Sequence, residues 1–371
     1  MTTRSPDPPT RLVRRRRRRR LIAGALISVV LGAAVVAALI GWYAGRIQRP
    51  YKGYATHDTF VEVPPGLGVT AIGRRLVAAG VVPDLLTYRI AVRMRGAERS
   101  LKAGEYRFDK PSSPLEVVGR LVRGDVHLLS ITFPEGLTIP EMAALVASAG
   151  LGAAQDFAGA ARDVSLVRAF DPRARDLEGY LFPDTYRVPR RTTAQELVAR
   201  MVARFEQVTG PEWRDRAAES GLTVRQAVTL ASLVEKETAR AEERPIVAAV
   251  YRNRLKRGMG LQCDPTVIYA LRRAGRYTGN LTRADLAFDS PYNTYRRSGL
   301  PPGPIASPGR ASLEAAVAPA DVPFLYYVSR NDGSHAFAET LAEHNRNVRQ
   351  FQVEPFRGGN GRGRSDARAG R

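Results

Sequence analysis

The sequence predicts an α+β fold with a single N-terminal transmembrane helix, a small βα module and a larger mixed α/β domain. Three observations predict it: an uncharged stretch at 21–45, two similar strand-turn-helix segments that begin near residues 60 and 128, and helical periodicity from about 151 onwards. The 371 residues allow two or three domains. We expect an Arg-rich cytoplasmic tail at 1–20, the transmembrane helix at 21–45, a tether at 46–58, the module at 59–126, the larger domain at 127–356 and a disordered basic tail at 357–371.

The composition excludes several classes of protein. A hydrophobic fraction of 44% and a charged fraction of 25% are those of a chain that folds around a core, which excludes wholesale disorder, collagen and a coiled-coil rod. Cys263 is the single cysteine, so neither an internal disulfide nor a Cys-cluster zinc site can form. No two of the four histidines make a His-Glu-x-x-His pair. We therefore expect no metal and no cofactor.

The net charge of +21 is concentrated at the two ends of the chain. Residues 1–20 hold nine Arg and one Asp, and residues 357–371 hold five Arg and one Asp. These ends together carry +12 of the +21, so the remainder is only mildly basic. Without a recognised nucleic-acid-binding motif, we expect no nucleic-acid partner.

The uncharged stretch at 21–45 is long enough to cross a bilayer, which needs about 20 apolar residues in a helix. Trp42 and Tyr43 stand at its far end, where amphipathic rings favour the membrane interface. The run Arg14–Arg20 precedes it, and the positive-inside rule places such a run in the cytoplasm. A cleaved signal peptide is the alternative, but the apolar run is too long and lacks a convincing cleavage site. We expect a single-pass protein of the inner (plasma) membrane with its larger domain in the periplasm.

Two similar segments follow the span. The turns Val63–Leu67 and Phe133–Leu137 each follow a β-rich run and lead into an apolar helical segment. The first of these segments ends at Gly80 and the second at Gly150. Residues 103–108 alternate like a strand, and residues 113–124 read as a further helix. Small βα units of this kind are similar to the LysM fold, which binds glycan chains. The alternative is a spacer that packs against the next domain.

A helix predicted at 223–240 carries the best candidate for a catalytic acid. At about 100° per residue, Glu237 falls between Leu230 and Leu233 in the apolar arc, while Glu235 lies at the opposite margin. A Glu among apolar groups has a raised pKa, so it can hold a proton for a leaving oxygen. The alternative is a structural Glu paired with an arginine. The arc favours Glu237 over Glu235 only modestly.

Polar and aromatic side chains on neighbouring segments are candidates for binding a sugar substrate. The segment 177–186 is dense in aromatic residues beside carboxylates. Sugar rings stack on aromatic faces and hydrogen-bond to carboxylates, but packing in a core explains these residues equally well. Loops at 261–269 and 290–295 carry polar groups of the kind found in ligand sites. The candidate substrate-binding residues are Glu178, Tyr180, Glu243, Gln262, Asp264, Tyr292, Asn293 and Tyr295.

Three further expectations concern the last part of the chain. Residues 325–328 read as a core strand, and His344 and Asn345 as the opening of the final helix. His335 follows a turn at Asn331–Gly333, and a structural role for it is favoured over substrate contact.

Together these segments resemble the YceG-like family of membrane-anchored endolytic murein transglycosylases. The matching segments are EGYLFPDTY at 178–186, ASLVEKET at 231–238, Glu-Arg at 243–244, NRL at 253–255, LQCDPTVIY at 261–269, YNTY at 292–295, GLPPGPI at 299–305, LYYV at 325–328 and H-x-F at 335–337. Their order and spacing match the family from about 60 to 350, and the combination is specific although no single segment is.

The resemblance implies a reaction and a catalytic residue. It implies cleavage of the β-1,4 bond between N-acetylmuramic acid (MurNAc) and N-acetylglucosamine (GlcNAc), with the C6 hydroxyl of the sugar as nucleophile and a 1,6-anhydro product. The family's catalytic glutamate corresponds to Glu237, which would act first as acid and then as base. Cys263 departs from the small hydroxyl residue expected at its position.

The resemblance also implies partners and leaves two rival functions open. Peptidoglycan glycan strands are the expected substrate, and membrane peptidoglycan synthases are expected partners, with termination of nascent strands as the role. A muramidase would use water and need a second carboxylate near Glu237. A non-enzymatic peptidoglycan-binding scaffold would tolerate replacement of Glu237.

Overall fold

A computed structural model describes the backbone of residues 10–357 and the side chains of residues 21–355. The chain divides into two compact units, residues 1–128 and 129–371. Most of the predicted basic tail at 357–371 and the first nine residues of the tail at 1–20 lie outside the described residues.

The first unit contains the long apolar helix and a small α+β body. Its elements are α1 (Thr10–Gln48), β1 (Thr59–Val63), α2 (Val69–Ala78), α3 (Leu85–Met94), β2 (Gly104–Phe108) and α4 (Pro114–Arg123). β1 and β2 pair antiparallel, with Thr59 opposite Phe108 and Val63 opposite Gly104. The segment Leu21–Gln48 of α1 is long and apolar enough to cross a membrane, which confirms the predicted transmembrane segment in its length and composition.

Residues 46–58, expected to form a tether, begin as part of the folded unit. α1 continues to Gln48, and Ile47 is 1% exposed within the core of the first unit. The backbone of Tyr51 then exchanges two hydrogen bonds with that of Ser112. Burial of the apolar side chain of Ile47 fixes the end of α1 in the core, and Gly53 and Asp58 also bond to this unit, through the backbone of Gly80 and the side chain of Arg107.

The second unit is mainly helical, with two small antiparallel sheets. Its elements are β3 (Leu129–Thr132), α5 (Ile139–Ser148), α6 (Ala154–Ala160), β4 (Thr185–Val188), α7 (Ala194–Val208), α8 (Pro211–Glu219), α9 (Val224–Glu237), α10 (Arg244–Lys256), α11 (Asp264–Arg273), α12 (Arg310–Val317), β5 (Tyr326–Ser329), β6 (His335–Ala338), α13 (Leu341–Val348) and α14 (Glu354–Arg357). β3 pairs with β4, and β5 pairs with β6. Every residue of α9 from Ala227 to Val234 is buried.

The two predicted strand-turn-helix segments are confirmed, but they fall in different units. β1 and α2 belong to the first unit, and β3 and α5 to the second. In both, the turn glycine is left-handed, with φ of 79° at Gly66 and 78° at Gly136. A side chain is strained there, which explains the shared Pro-x-Gly pattern.

Two boundaries in the last part of the chain differ from the sequence prediction. The strand expected at 325–328 is present as β5, Tyr326–Ser329, but its four residues are only partly buried, so it is not a core strand, although Leu325 is buried. The final helical segment begins at Leu341 rather than at His344, because Thr340 accepts a hydrogen bond from the backbone of Glu343 and caps the helix there.

Candidate active site

The site is centred on Glu237, the last residue of α9. Thr223 and Gln226 form a capping box at the start of the helix, and the apolar face that follows is buried. The helix ends at Glu237 because Thr238 adopts an extended conformation. The Glu237 carboxyl is therefore held at the end of a buried and rigid element, as a positioned acid requires.

Three other segments bring side chains to the Glu237 carboxyl. Tyr251 of α10 donates a hydrogen bond of 2.8 Å to Oε1 of Glu237. The hydroxyls of Tyr251 and Tyr327, which lies on β5, are 2.8 Å apart. The thiol of Cys263, just before α11, also hydrogen-bonds with the carboxyl. Four distant parts of the chain thus meet at one acid.

The surroundings favour the protonated form of Glu237. Desolvation by the surrounding protein raises the pKa of Glu237, and the negative charge of Asp264 raises it further. The hydrogen-bonding groups of Cys263, Tyr251 and Tyr327 around the carboxyl lower this pKa, but they do not reverse the shift. Glu237 nevertheless remains partly exposed to solvent. An accessible acid with a raised pKa is suited to give a proton to a bound substrate.

Glu235, the rival acid on the same helix, is held in a buried ion pair. Its side chain is 5% exposed, and its Oε1 lies 3.1 Å from Arg244 Nη2. Its other oxygen accepts a 3.0 Å hydrogen bond from the backbone of Gly309. Both oxygens are thus used to join α9 to neighbouring elements. The structural role that the sequence left open for a Glu on this helix fits Glu235.

Three of the predicted substrate-binding residues lie at the rim of the site. Tyr295 is 37% exposed, and its hydroxyl donates a 2.6 Å hydrogen bond to Asp264. Gln262 is exposed and adopts a left-handed conformation with φ of 51°, which is uncommon for a non-glycine residue and recurs at functional sites. Thr294 fixes this rim, since it hydrogen-bonds to the backbones of Gln262 and Cys263.

Two other predicted substrate-binding residues are buried and fully engaged. Asn293 is 0% exposed: its amide donates to the carbonyls of Leu286 and Phe288, and its oxygen accepts from the backbone of Tyr295. Tyr180 is also 0% exposed and donates its hydroxyl to Asp171. Their polar atoms shape the loops, so we do not include them among the proposed substrate contacts.

Glu243 is a structural residue of the same kind. One oxygen accepts a 2.9 Å hydrogen bond from the backbone of His335, and the other contacts the His335 ring and the hydroxyl of Thr238. These hydrogen bonds are part of what keeps the pKa of Glu243 below its usual range. Glu243 joins the end of α9 to β6 behind the site. His335 has the structural role that the sequence favoured.

Glu178 and Tyr292 belong to a different cluster. Glu178 accepts hydrogen bonds from the backbone of Ile139, at 3.1 Å, and from the hydroxyl of Tyr269, at 3.2 Å. Burial raises the pKa of Glu178 to about 8, and the charge of Asp176 adds to the shift. Tyr292 packs against Tyr269 with ring centroids 5.0 Å apart. Glu178 lines a cavity of about 410 Å³ to which Glu237 does not contribute.

The sequence prediction missed Tyr251 and Tyr327. Both lie in segments that the sequence singled out, but no local pattern indicates which side chain on another helix or strand will meet Glu237. Among the described residues, no group of three or more His, Cys, Asp or Glu side chains could hold a metal ion. The desolvated carboxyl of Glu237, which accepts a hydrogen bond from Tyr251, is suited to proton transfer.

A mixed α/β unit that holds a desolvated but partly exposed glutamic acid has the features of an acid-base catalyst. Comparisons with known proteins identify the family. The YceG-like family matches residues 61–350. An endolytic murein transglycosylase of Bacillus subtilis (strain 168) is 30% identical over an alignment of 319 positions, and the match covers 82% of this chain and 88% of the relative. The chain belongs to the YceG-like family.

Two further proteins are similar over much of the chain. An endolytic murein transglycosylase of Streptococcus pneumoniae serotype 2 (strain D39 / NCTC 7466) is 33% identical, and the match covers 81% of this chain but 59% of that longer relative. The crystal structure of a yceG-like protein of Listeria monocytogenes is 30% identical with a TM-score of 0.54, and the match covers 78% of this chain and 98% of that one.

Proposed function

We propose that this protein is an endolytic murein transglycosylase, a lyase that cleaves the β-1,4 MurNAc–GlcNAc bond within peptidoglycan glycan strands. Its membership of the YceG-like family and its similarity to relatives named for this activity support the reaction. The observation that carries the catalytic assignment is the position of Glu237, which is accessible, desolvated and hydrogen-bonded by Tyr251.

Glu237 serves as both acid and base in the proposed reaction. Its proton passes to the glycosidic oxygen as the bond from that oxygen to C1 of MurNAc breaks. The C6 hydroxyl of the same sugar then attacks C1, and the Glu237 carboxylate takes the hydroxyl proton. The products are a free GlcNAc hydroxyl and a 1,6-anhydroMurNAc end, with no water consumed and Glu237 protonated again.

The surrounding side chains supply what the two steps need. Desolvation keeps the proton on Glu237 before the reaction, while the hydrogen bonds from Tyr251 and Cys263 stabilise the carboxylate that forms. The negative charge of Asp264 lies close enough to act on Glu237 and can stabilise positive charge that develops at C1. We infer that Gln262, Asp264 and Tyr295 contact the sugars, because they lie at the rim of the site with exposed polar atoms.

The full chain in detergent, incubated with purified murein sacculi, tests this proposal. Mass spectrometry of the released sugars should detect ends that lack one water. General acid-base catalysis contributes roughly 10²–10⁴-fold to rate, so Glu237→Gln should lower product release by about that factor. Glu242→Gln is the matched control, since its side chain is 72% exposed. Unchanged activity in Glu237→Gln would refute the assignment.

A muramidase is the second candidate, and one observation favours it. Asp264, which accepts a hydrogen bond from Tyr295 at the rim of the site, is a second carboxylate there, and its charge contributes to the raised pKa of Glu237. A water-using enzyme would leave reducing ends, and Asp264→Asn would remove its base. Anhydro ends from both the wild type and Asp264→Asn would exclude this mechanism.

The first unit and the long helix suggest where the enzyme works. We infer that the first unit is LysM-like and holds glycan, since it is a small α+β body with two helices between paired strands. We also infer that α1 is a single-pass anchor in the inner membrane, with the N-terminus cytoplasmic and the second unit periplasmic. There the enzyme would work beside peptidoglycan synthases and terminate their nascent strands. Protease cleavage of the second unit in intact spheroplasts tests the orientation, and protection there would reverse it.

A further inference from the structure

One face of α3 combines exposed apolar and cationic side chains. Leu86 is 51% exposed and Met94 is 59% exposed, and Arg89 and Arg93 are exposed as well. The spacing of these four residues along a helix places them on one side. The opposite side of α3 is buried in the core of the first unit, and α3 contains no acidic residue. Exposed apolar side chains between arginines are typical of a helix that lies on a membrane surface.

The start of α3 is fixed to the end of the membrane-spanning helix. Asp84, the N-cap residue of α3, forms a 2.9 Å ion pair with Arg46 of α1. The guanidinium of Arg46 also lies over the ring of Trp42, 5.1 Å from its centroid. Because Ile47 is buried in the core of the first unit, α1 and α3 belong to one packed body. Both helices therefore keep a fixed separation at this point.

This attachment places the start of α3 near the lipid headgroups. A bilayer core is spanned by about 20 helical residues, so a span that begins at Leu21 leaves the hydrocarbon near residue 40. Arg46 follows about 9 Å later at a rise of about 1.5 Å per residue. The headgroup layer on each side of the core is on the order of 5–8 Å thick. Asp84, in contact with Arg46, thus lies close to the outer edge of that layer.

We propose that α3 is a second membrane contact, which lies on the leaflet where α1 leaves the bilayer and binds anionic phospholipids. Leu86 and Met94 enter the boundary between headgroups and acyl chains, while Arg89 and Arg93 bind lipid phosphates. Lipid is the favoured occupant of this face because α1 already holds α3 beside the bilayer and because the charge of the face is entirely positive. The contact adds a second attachment, beside α1, that holds the first unit against the membrane surface.

The test uses the full chain in phospholipid vesicles with an environment-sensitive fluorophore on introduced cysteines. Cys263 is 1% exposed, so the wild-type chain should take up little label and provides the background. Leu86→Cys and Met94→Cys place the probe on the proposed contact, and Ala78→Cys, at an exposed position of α2, is the matched control. In vesicles that contain phosphatidylglycerol, we expect blue-shifted emission from positions 86 and 94, with at least a twofold stronger quenching by spin-labelled lipid than at position 78.

The arginines and the oligomeric state provide two further arms. Combining Arg89→Gln and Arg93→Gln with Met94→Cys should reduce the lipid quenching and remove its dependence on anionic lipid. Equal quenching by aqueous iodide at all three positions, with no effect of spin-labelled lipid, would overturn the proposal. A blue shift that appears only at high protein-to-lipid ratio would assign the face to a second copy of the chain and would also overturn it. Flotation of the vesicles reports the α1 anchor separately.

Discussion

The hydroxyl of Tyr251 donates a 2.8 Å hydrogen bond to Oε1 of Glu237. A phenol has a single proton, so Tyr327 is the donor in its 2.8 Å contact with Tyr251 while that bond exists. The arrangement stabilises a carboxylate. When Glu237 is protonated, the carboxylic acid can donate to the hydroxyl of Tyr251, which then donates to Tyr327. This reversal needs only rotation of the hydroxyl groups and no movement of the rings. One network thus serves both protonation states that the proposed reaction requires.

Replacing Tyr251 by Phe should slow the reaction and shift its pH dependence. The hydrogen bond lowers the pKa of Glu237, so its loss raises that pKa. The proposed enzyme starts with Glu237 protonated, and the alkaline limb of kcat/KM should therefore move to higher pH. An unstabilised carboxylate costs about 1–2 kcal/mol, which corresponds to roughly a tenfold lower kcat. Release of anhydro sugars across a pH series measures both effects.

The matched control for Tyr251→Phe is Tyr326→Phe. Tyr326 lies on β5 next to Tyr327, the hydrogen-bond partner of Tyr251. The Tyr326 ring stacks on His344, and we assign its hydroxyl no part in catalysis. It should leave the alkaline limb in place. If Tyr251→Phe also leaves that limb unmoved, Tyr251 only packs against the acid and does not tune it.

Substitutions of Cys263 should separate hydrogen bonding from packing. The thiol is buried, and its hydrogen bond lowers the pKa of Glu237. Cys263→Ser supplies a stronger donor, so the alkaline limb should move to lower pH with kcat within a few-fold of the wild type. Cys263→Ala removes the donor and should move the limb to higher pH. Shifts in the same direction for both variants would contradict a hydrogen-bonding role.

Replacing Glu235 by Gln should affect stability more than chemistry. The change leaves the buried Arg244 with Glu135, 3.3 Å away, as its remaining charged partner among the residues that the structure describes. Loss of a charged hydrogen bond of this kind costs about 2 kcal/mol of unfolding free energy. We expect a lower midpoint of thermal unfolding. At temperatures below that midpoint, the pH profile of activity should equal that of the wild type. A folded variant without activity would return Glu235 to the list of candidate acids.

The amphipathic pattern of α9 could point to Glu237 because the burial of a helix face follows from its own sequence. It could not separate Glu237 from Glu235 firmly, since the deciding partners lie elsewhere in the chain: Arg244 in the next helix and Tyr327 on a distant strand. Both acids stand near the edges of the same arc. The choice between the two acids therefore depends on tertiary contacts, which the sequence of α9 does not contain.

Two of the predicted substrate-binding residues use their polar side chains within the protein. Asn293 and Tyr180 have the composition of a ligand site, yet their side chains complete hydrogen bonds inside loops. Sequence alone cannot distinguish these uses, because an amide or phenol satisfies a carbonyl or carboxylate of the protein as well as it satisfies a sugar. Gln262 and Asp264, on either side of the buried Cys263, are exposed.

Glu178 offers a prediction in which the sign of the pH effect is decisive. Its pKa is about 8 in the folded protein, against about 4.3 in an unfolded chain. Between these values the folded state holds a proton that the unfolded state has lost, so stability falls as the pH rises, by about 1.4 kcal/mol per unit. Glu178→Gln removes this titration. The thermal midpoint of the variant minus that of the wild type should therefore increase from pH 5 to pH 8, whereas the difference for Glu242→Gln, on an exposed side chain, should stay flat. A flat difference for Glu178→Gln as well would mean that the Glu178 carboxyl ionises normally in its cavity.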